Sequence, residues 1–178
     1  MVRESRTGRD LVDSLTDGAR NKVPEMEQTK FELTRRAVRL ANIIEVALGE
    51  CLAPWGLTLA DYGVLGALQS AGQPYQLRPR ELQARLLLTS GGVSGVLNRL
   101  QKAGLIERHP DADDKRSSWV LLTGAGAETA SATLRACAAV QADILRKVPN
   151  GTARKAADAL REVMLALGDT EPPGRRRG

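Results

Sequence analysis

Ser90, Ser94, Asn98 and Lys102 recur every fourth residue, and no acid interrupts the series. At 100° per residue they fall on one arc of a helix together with Gly91 and Gly95, with Arg99 on the flank. Short hydroxyl and amide groups backed by a cation form hydrogen bonds to a polyanion. They do not make or break bonds. The only histidine is His109, and no nucleophile–base pair or phosphate loop is visible, so an enzyme is not expected. Asp111, Asp113 and Asp114 form an acidic cluster without further ligands at suitable spacing. Cys51 and Cys137 lie far apart on separate expected helices and have no metal-ligand spacing. Neither a metal nor a cofactor is expected. An ordinary solvated helix face is the alternative for Ser90, Ser94 and Asn98, and an ion pair with Asp113 or Asp114 is the alternative for Arg99.

The opposite arc of the same helix carries Val93, Val96, Leu97, Leu100 and Ala103, which predicts an inward face. Thr89 or Ser90 supplies a cap at one end, and Gly104 supplies a left-handed stop at the other. After Gly104 the chain has strand composition, LIERH and then SSWVLLT, around PDADDKR, a cluster of turn formers and charges. A β-hairpin whose tip carries Lys115 and Arg116 therefore comes directly after the helix. That order of parts belongs to a winged helix-turn-helix, in which the helix enters the major groove and the wing reaches the backbone or minor groove alongside.

The remaining elements fit around this pair. Pro79 opens a short helix, RELQARLLL, whose Arg80 and Arg85 are candidates for phosphate contact. Before it, Thr58 and Asp61 have the spacing of a capping box for a helix ending near Ala71 and Gly72, and Tyr75 to Leu77 suits a short edge strand. A long helix is expected from Glu25 to Ala53, closed by Pro54 and Gly56. At 1.5 Å per residue it would be about 43 Å long and must pack beyond the reader. Two more helices are expected, from about Gly124 to Val148 and from Thr152 to Leu167, split by Pro149-Asn150-Gly151. Leu11, Val12 and Leu15 give residues 1–24 a weak helical pattern, with a frayed terminus as the alternative. The tail from 169 to 178 is rich in Pro, Gly and Arg, which suits a disordered basic segment.

Charge is distributed with the same bias. The chain of 178 residues carries +5 with a pI near 9.6. Residues 78 to 116 hold eight bases against five acids, whereas residues 25 to 77 hold four against six. Positive charge sits with the expected reader, which favours a polyanionic partner. Five aromatic residues, Phe31, Trp55, Tyr62, Tyr75 and Trp119, leave the interior to aliphatic side chains. A mainly helical protein with a small sheet is the expectation. The N-terminal segment lacks a secretion-type apolar stretch and no apolar run spans a bilayer, so a cytoplasmic protein without membrane contact is expected.

From about Leu57 to Ala127 the chain resembles the MarR (multiple antibiotic resistance regulator) family of transcription factors. The resemblance rests on LTLADYGVLGAL, RELQARL, SGGVSGVLNRLQKAGLIERHPDADDKR and LLTGAG. It implies a winged helix-turn-helix at 57–123, flanked by dimerisation helices at 25–56 and 124–168. It implies a homodimer, a palindromic site on double-stranded DNA, and repression relieved by a small aromatic or anionic effector. Arg116 then becomes the wing contact, with Lys115 on phosphate and Asp114 orienting a neighbouring arginine. Trp55 and Tyr62, otherwise packing groups, lie near where such an effector cleft opens. Much of the family has a long basic side chain about where Gly95 or Val96 stands, so base reading here falls to Ser90, Ser94, Asn98 and Arg99. A non-specific architectural DNA-binding protein is the alternative that this departure keeps open.

Overall fold

The computed structural model describes residues 8–110 and 118–170, and the chain falls into two compact units divided after Ala47. In the first unit, α1 (Leu11–Arg20) starts at Asp10, whose carboxylate accepts the amides of Val12 and Asp13 while Asp13 answers to the Asp10 amide. The weak pattern at Leu11, Val12 and Leu15 is therefore a helix of its own, with Val12 and Thr16 buried. The helix α2 (Gln28–Leu52) begins three residues later than expected. Pro24 is followed by a turn in which the Met26 amide bonds the Val23 carbonyl, and that turn uses the residues the helix was expected to contain. Arg36 on α2 ion-pairs with Asp10, Asp13 and Glu32, at 2.8, 2.7 and 3.0 Å. Its hydrogen bond holds the Asp10 carboxyl below the usual range, and Gln28 together with Arg36 does the same to Glu32.

The second unit opens with the last turn of α2, a 3-10 turn Ala53–Trp55 and Gly56 in the left-handed conformation. Then come α3 (Leu59–Ser70), β1 (Gln76–Leu77), α4 (Pro79–Leu86), α5 (Ser90–Lys102), β2 (Ile106–Pro110), β3 (Ser118–Leu122), α6 (Gly124–Ile144) and α7 (Asn150–Ala166). The strands form one antiparallel sheet in the order β1-β3-β2. Ile106 stands opposite Leu122 and Pro110 opposite Ser118, while Leu77 pairs with Val120 on the other edge of β3. A mainly helical fold with a small sheet is what the composition implied. Core side chains come from every layer: Leu65 and Leu68 of α3, Leu82 of α4, Leu97 and Leu100 of α5, Ile106 and Val120 of the sheet, all essentially inaccessible.

One contact permits no side chain at all. A Cβ at Gly126, in the first turn of α6, would stand 1.9 Å from the Leu105 carbonyl oxygen. That oxygen accepts the Thr123 amide at 3.1 Å, and the Thr123 hydroxyl bonds the Gly104 carbonyl at 2.8 Å. The start of α6 is thereby fastened to the turn between α5 and β2. The last two helices differ from expectation at their junction. The α6 helix ends at Ile144 because Leu145 to Val148 close into turns, and α7 starts at Asn150, directly after Pro149, whose carbonyl accepts the Thr152 and Ala153 amides.

Candidate nucleic-acid interface

The Thr89 side chain caps α5 by accepting the Gly92 amide at 3.1 Å. From that start the inward residues Val93, Val96, Leu97 and Leu100 are at most 3% exposed. Ala103, expected inward with them, is exposed, because the helix ends there and Gly104 turns the chain away with φ +69°. On the other side Ser90, Gly91, Ser94, Asn98, Arg99 and Lys102 are exposed. The structure therefore gathers the expected polar series on one solvent face.

Its members are not equally free. Ser94 donates its hydroxyl proton to the Ser90 carbonyl at 3.0 Å and so offers solvent an acceptor. Asn98 accepts from Nη2 of Arg108, on β2, at 2.8 Å. Arg99 ion-pairs with Asp61, Nη2 to Oδ1 at 2.9 Å, and also approaches the Thr58 hydroxyl at 3.5 Å. Asp61 is 2% exposed, and its second oxygen accepts the Thr58 amide and hydroxyl at 2.9 and 2.7 Å. The capping box of α3 is thus also the seat that fixes α5. An ion pair was the alternative expected for Arg99, and its partner here is the helix cap. Asp111, Asp113 and Asp114 lie outside the described residues, as do Lys115 and Arg116 of the hairpin tip.

On α4, Arg80 and Arg85 are both exposed, at the first and last turns. They stand roughly 140° apart around the helix, so α4 does not present them on a single face. The Glu81 carboxylate accepts the Arg78 amide at 2.7 Å, and the Arg78 guanidinium lies 4.6 Å from the Trp119 ring centroid, tying the start of α4 to β3. Lys102 ends the α5 series in solvent. His109 meets Glu107 at 3.0 Å on the exposed side of β2.

The effector candidates are placed less distinctively. Trp55 is 41% exposed in the 3-10 turn, and Tyr62 is half-buried on α3. Burial raises the Tyr62 phenol, with Cys137 and Cys51 adding to the effect. The two cysteines correct the expectation that they stand apart. They are neighbours in space, and burial ahead of Cys51 pushes the Cys137 thiol up to about 11.

Three of these pairings were not legible in advance. In the sequence Arg108 counts only toward the local charge, Asp61 only as a cap, and Trp119 only as packing. The alternation of β2 puts Arg108 two residues from buried Ile106 and on the same face, which is the one signal that marked it as facing α5.

The comparisons with known proteins agree with this geometry. Residues 55–117 match the family model described as the MarR family. The transcriptional regulator PecS of Dickeya dadantii (strain 3937) is 25% identical over 115 residues, 65% of this chain and 69% of its own. Among solved structures, the reduced form of MarR from Escherichia coli superposes with a TM-score of 0.66 at 26% identity, over 74% of this chain and 96% of that one. Sco3205 from Streptomyces coelicolor, solved in complex with DNA, shares the fold with a TM-score of 0.70 at 23% identity, over 82% and 90%. Over residues 55–117 the chain thus matches the MarR family model, and it is similar to transcriptional regulators of that family in sequence and in fold.

Proposed function

We propose that the protein is a homodimeric repressor that binds a palindromic operator on double-stranded DNA and is released by a small aromatic or anionic effector in the cytoplasm. One observation carries the reading. The helix α5 buries one face in the core and offers solvent a face of Ser90, Ser94, Asn98 and Lys102 with no acid on it. An acid-free hydrophilic ridge fits the major groove, where a carboxylate would be repelled by phosphate.

In this reading Arg80, Arg85 and Lys102 contact phosphates and fix register, while Ser90, Ser94 and Asn98 face base edges. Arg99 sets the seat of α5 through Asp61 and keeps an exposed edge for a phosphate. Lys115 and Arg116 grip the neighbouring backbone and minor groove, since a guanidinium suits that narrow, negative groove. Asp114 orients an arginine nearby. Trp55 and Tyr62 contribute aromatic surface to the effector site.

Dimerisation is supported by large apolar side chains that stay exposed among the described residues. On α7 and at its C-cap, Leu160, Met164 and Leu167 are 37%, 38% and 76% exposed, and no residue of the helix is buried. In the first unit, Val38, Ile43 and Val46 of α2 are more than half exposed. A second copy would cover such faces, and its two-fold axis would set two α5 helices about 34 Å apart on successive major grooves.

The test is enrichment of duplexes from a random pool with the purified full chain, followed by a salt titration on the winner. A two-fold symmetric sequence and a steep fall of affinity with salt are expected. Binding of all duplexes alike would favour the architectural reading, which Gly91, Gly92 and Gly95 support by leaving α5 with few long side chains.

A further inference from the structure

The hydrogen bond between Arg108 and Asn98 has consequences for which base α5 recognises. Asn98 is exposed on the polar face of α5, and its Oδ1 accepts from Arg108 Nη2 at 2.8 Å. A guanidinium carries donors only, so the amide atom that faces it must be the oxygen. The orientation is therefore dictated by chemistry. Arg108 is itself held: its Nε is enclosed within the protein and has no partner among the described residues, so the group acts through its Nη edge. It projects from β2, whose neighbouring residue Ile106 is buried and whose pairing with β3 is continuous from Ile106 to Pro110. The arginine thus belongs to the rigid sheet.

An asparagine with both ends free is suited to adenine, because its oxygen accepts from N6 while its nitrogen donates to N7. Here Arg108 takes one of the oxygen's two acceptor positions and fixes the amide's orientation, while the –NH2 group keeps its donors for an incoming duplex. A donor meeting adenine finds one acceptor, N7, beside a second donor, N6. Guanine offers N7 and O6, two acceptors side by side, and thymine offers O4 alone beside a methyl group.

We propose that Arg108, by holding the Asn98 amide with its nitrogen outward, makes Asn98 read chiefly through its donors and select guanine over adenine at one base pair of each half-site. Arg108 is a positioning residue in this arrangement and Asn98 the contact. The inference rests on the DNA-binding reading above and adds to it the base that this position accepts.

The experiment uses the full chain and the duplex it enriches from a random pool. The base pair read by Asn98 is the one whose preference disappears in Asn98→Ala. At that pair, replacing guanine by adenine should weaken binding of the wild-type protein on the order of tenfold, and replacing it by 7-deazaguanine should also weaken it, since N7 is removed. Arg108→Met should bring the guanine and adenine duplexes within about threefold of each other by freeing the amide to turn, whereas Arg108→Lys, which still presents only donors, should keep the preference. A merely structural arginine would instead lower affinity for both duplexes alike and leave their ratio unchanged. The assignment is overturned by an unchanged ratio in Arg108→Met, by an adenine preference in the wild type at this pair, or by Asn98→Ala losing no preference anywhere. The wild-type measurements with adenine and 7-deazaguanine decide the matter even where a variant does not fold. Failure to enrich any duplex would remove the DNA-binding reading and this inference with it. Enrichment accompanied by one of the overturning results would remove this inference alone.

Discussion

The helices α5 and α7 are both amphipathic, and their apolar faces meet opposite fates. Val93, Val96, Leu97 and Leu100 of α5 are covered by their own chain to within 3% of full burial. On α7 the stripe of Leu160, Val163 and Met164, continued by Leu167 at the C-cap, includes no buried residue. Periodicity fixes which face of a helix is apolar. It does not say what covers that face. In α5 the cover comes from α3, α4 and the sheet, which leaves the polar side in solvent as the proposed DNA-reading surface. In α7 the apolar side stays exposed, and in the proposed dimer it is the surface that a second copy covers.

Substitutions should separate these two cases. The largest loss is expected where α5 is fastened. Gly126→Ala would drive a methyl group into the Leu105 carbonyl and should lower unfolding free energy by about 3 kcal/mol, as would Leu97→Ala through the cavity it leaves. Denaturant titration reads both, at equal midpoint shift whatever the protein concentration. The paired change Leu160→Asp with Met164→Asp should act in the other way. It should leave the folded monomer standing and convert a dimer to monomers in sedimentation, with operator affinity falling by about tenfold or more as the second half-site contact is lost. If the double variant unfolds as α5 variants do, α7 is covered from within and the contrast fails.

Smaller effects refine the seat of α5. Asp61→Asn keeps the shape of the cap but removes the charge that Arg99 and Thr58 address, and should cost about 1–2 kcal/mol. A thiol gives a pH signature of the covered side. Because Cys137 holds its proton to about 11 when folded, while an exposed cysteine loses it near about pH 8.5, the unfolded chain releases that proton first. This contribution to stability is intact below about pH 8.5 and is lost as pH rises toward 11, and the difference between wild type and Cys137→Ala over that window isolates it from Tyr62. The smallest change is expected on α7, where a methyl at Gly151 meets nothing. Gly151→Ala should be neutral or raise stability by about 0.5 kcal/mol, against the loss at Gly126.

Much of this was legible from local pattern. Thr58 with Asp61, Thr89 before Gly92, and Gly104 at the end of α5 each carry their reason within four residues, and each stands where the spacing placed it. The polar series on α5 was legible for the same reason. What was hidden depends on partners distant in the chain. Asp61 serves Arg99 across the gap between α3 and α5, Arg108 turns Asn98, and Cys51 meets Cys137, and none of these has a sequence spacing that marks it. Helix ends were misjudged where turns competed, after Pro24 and before Pro149, because a turn and a first helical turn make similar demands on a few residues.

In the proposed complex, two copies of the chain, joined through apolar faces exposed in one, place two α5 ridges on one side of a duplex. Hydroxyl-radical footprinting of the full chain on its enriched duplex tests it most directly. Two protected stretches of equal strength, centred one helical turn apart and related by the symmetry of the sequence, are the predicted result. A single protected stretch, or even protection along the whole duplex, would contradict it.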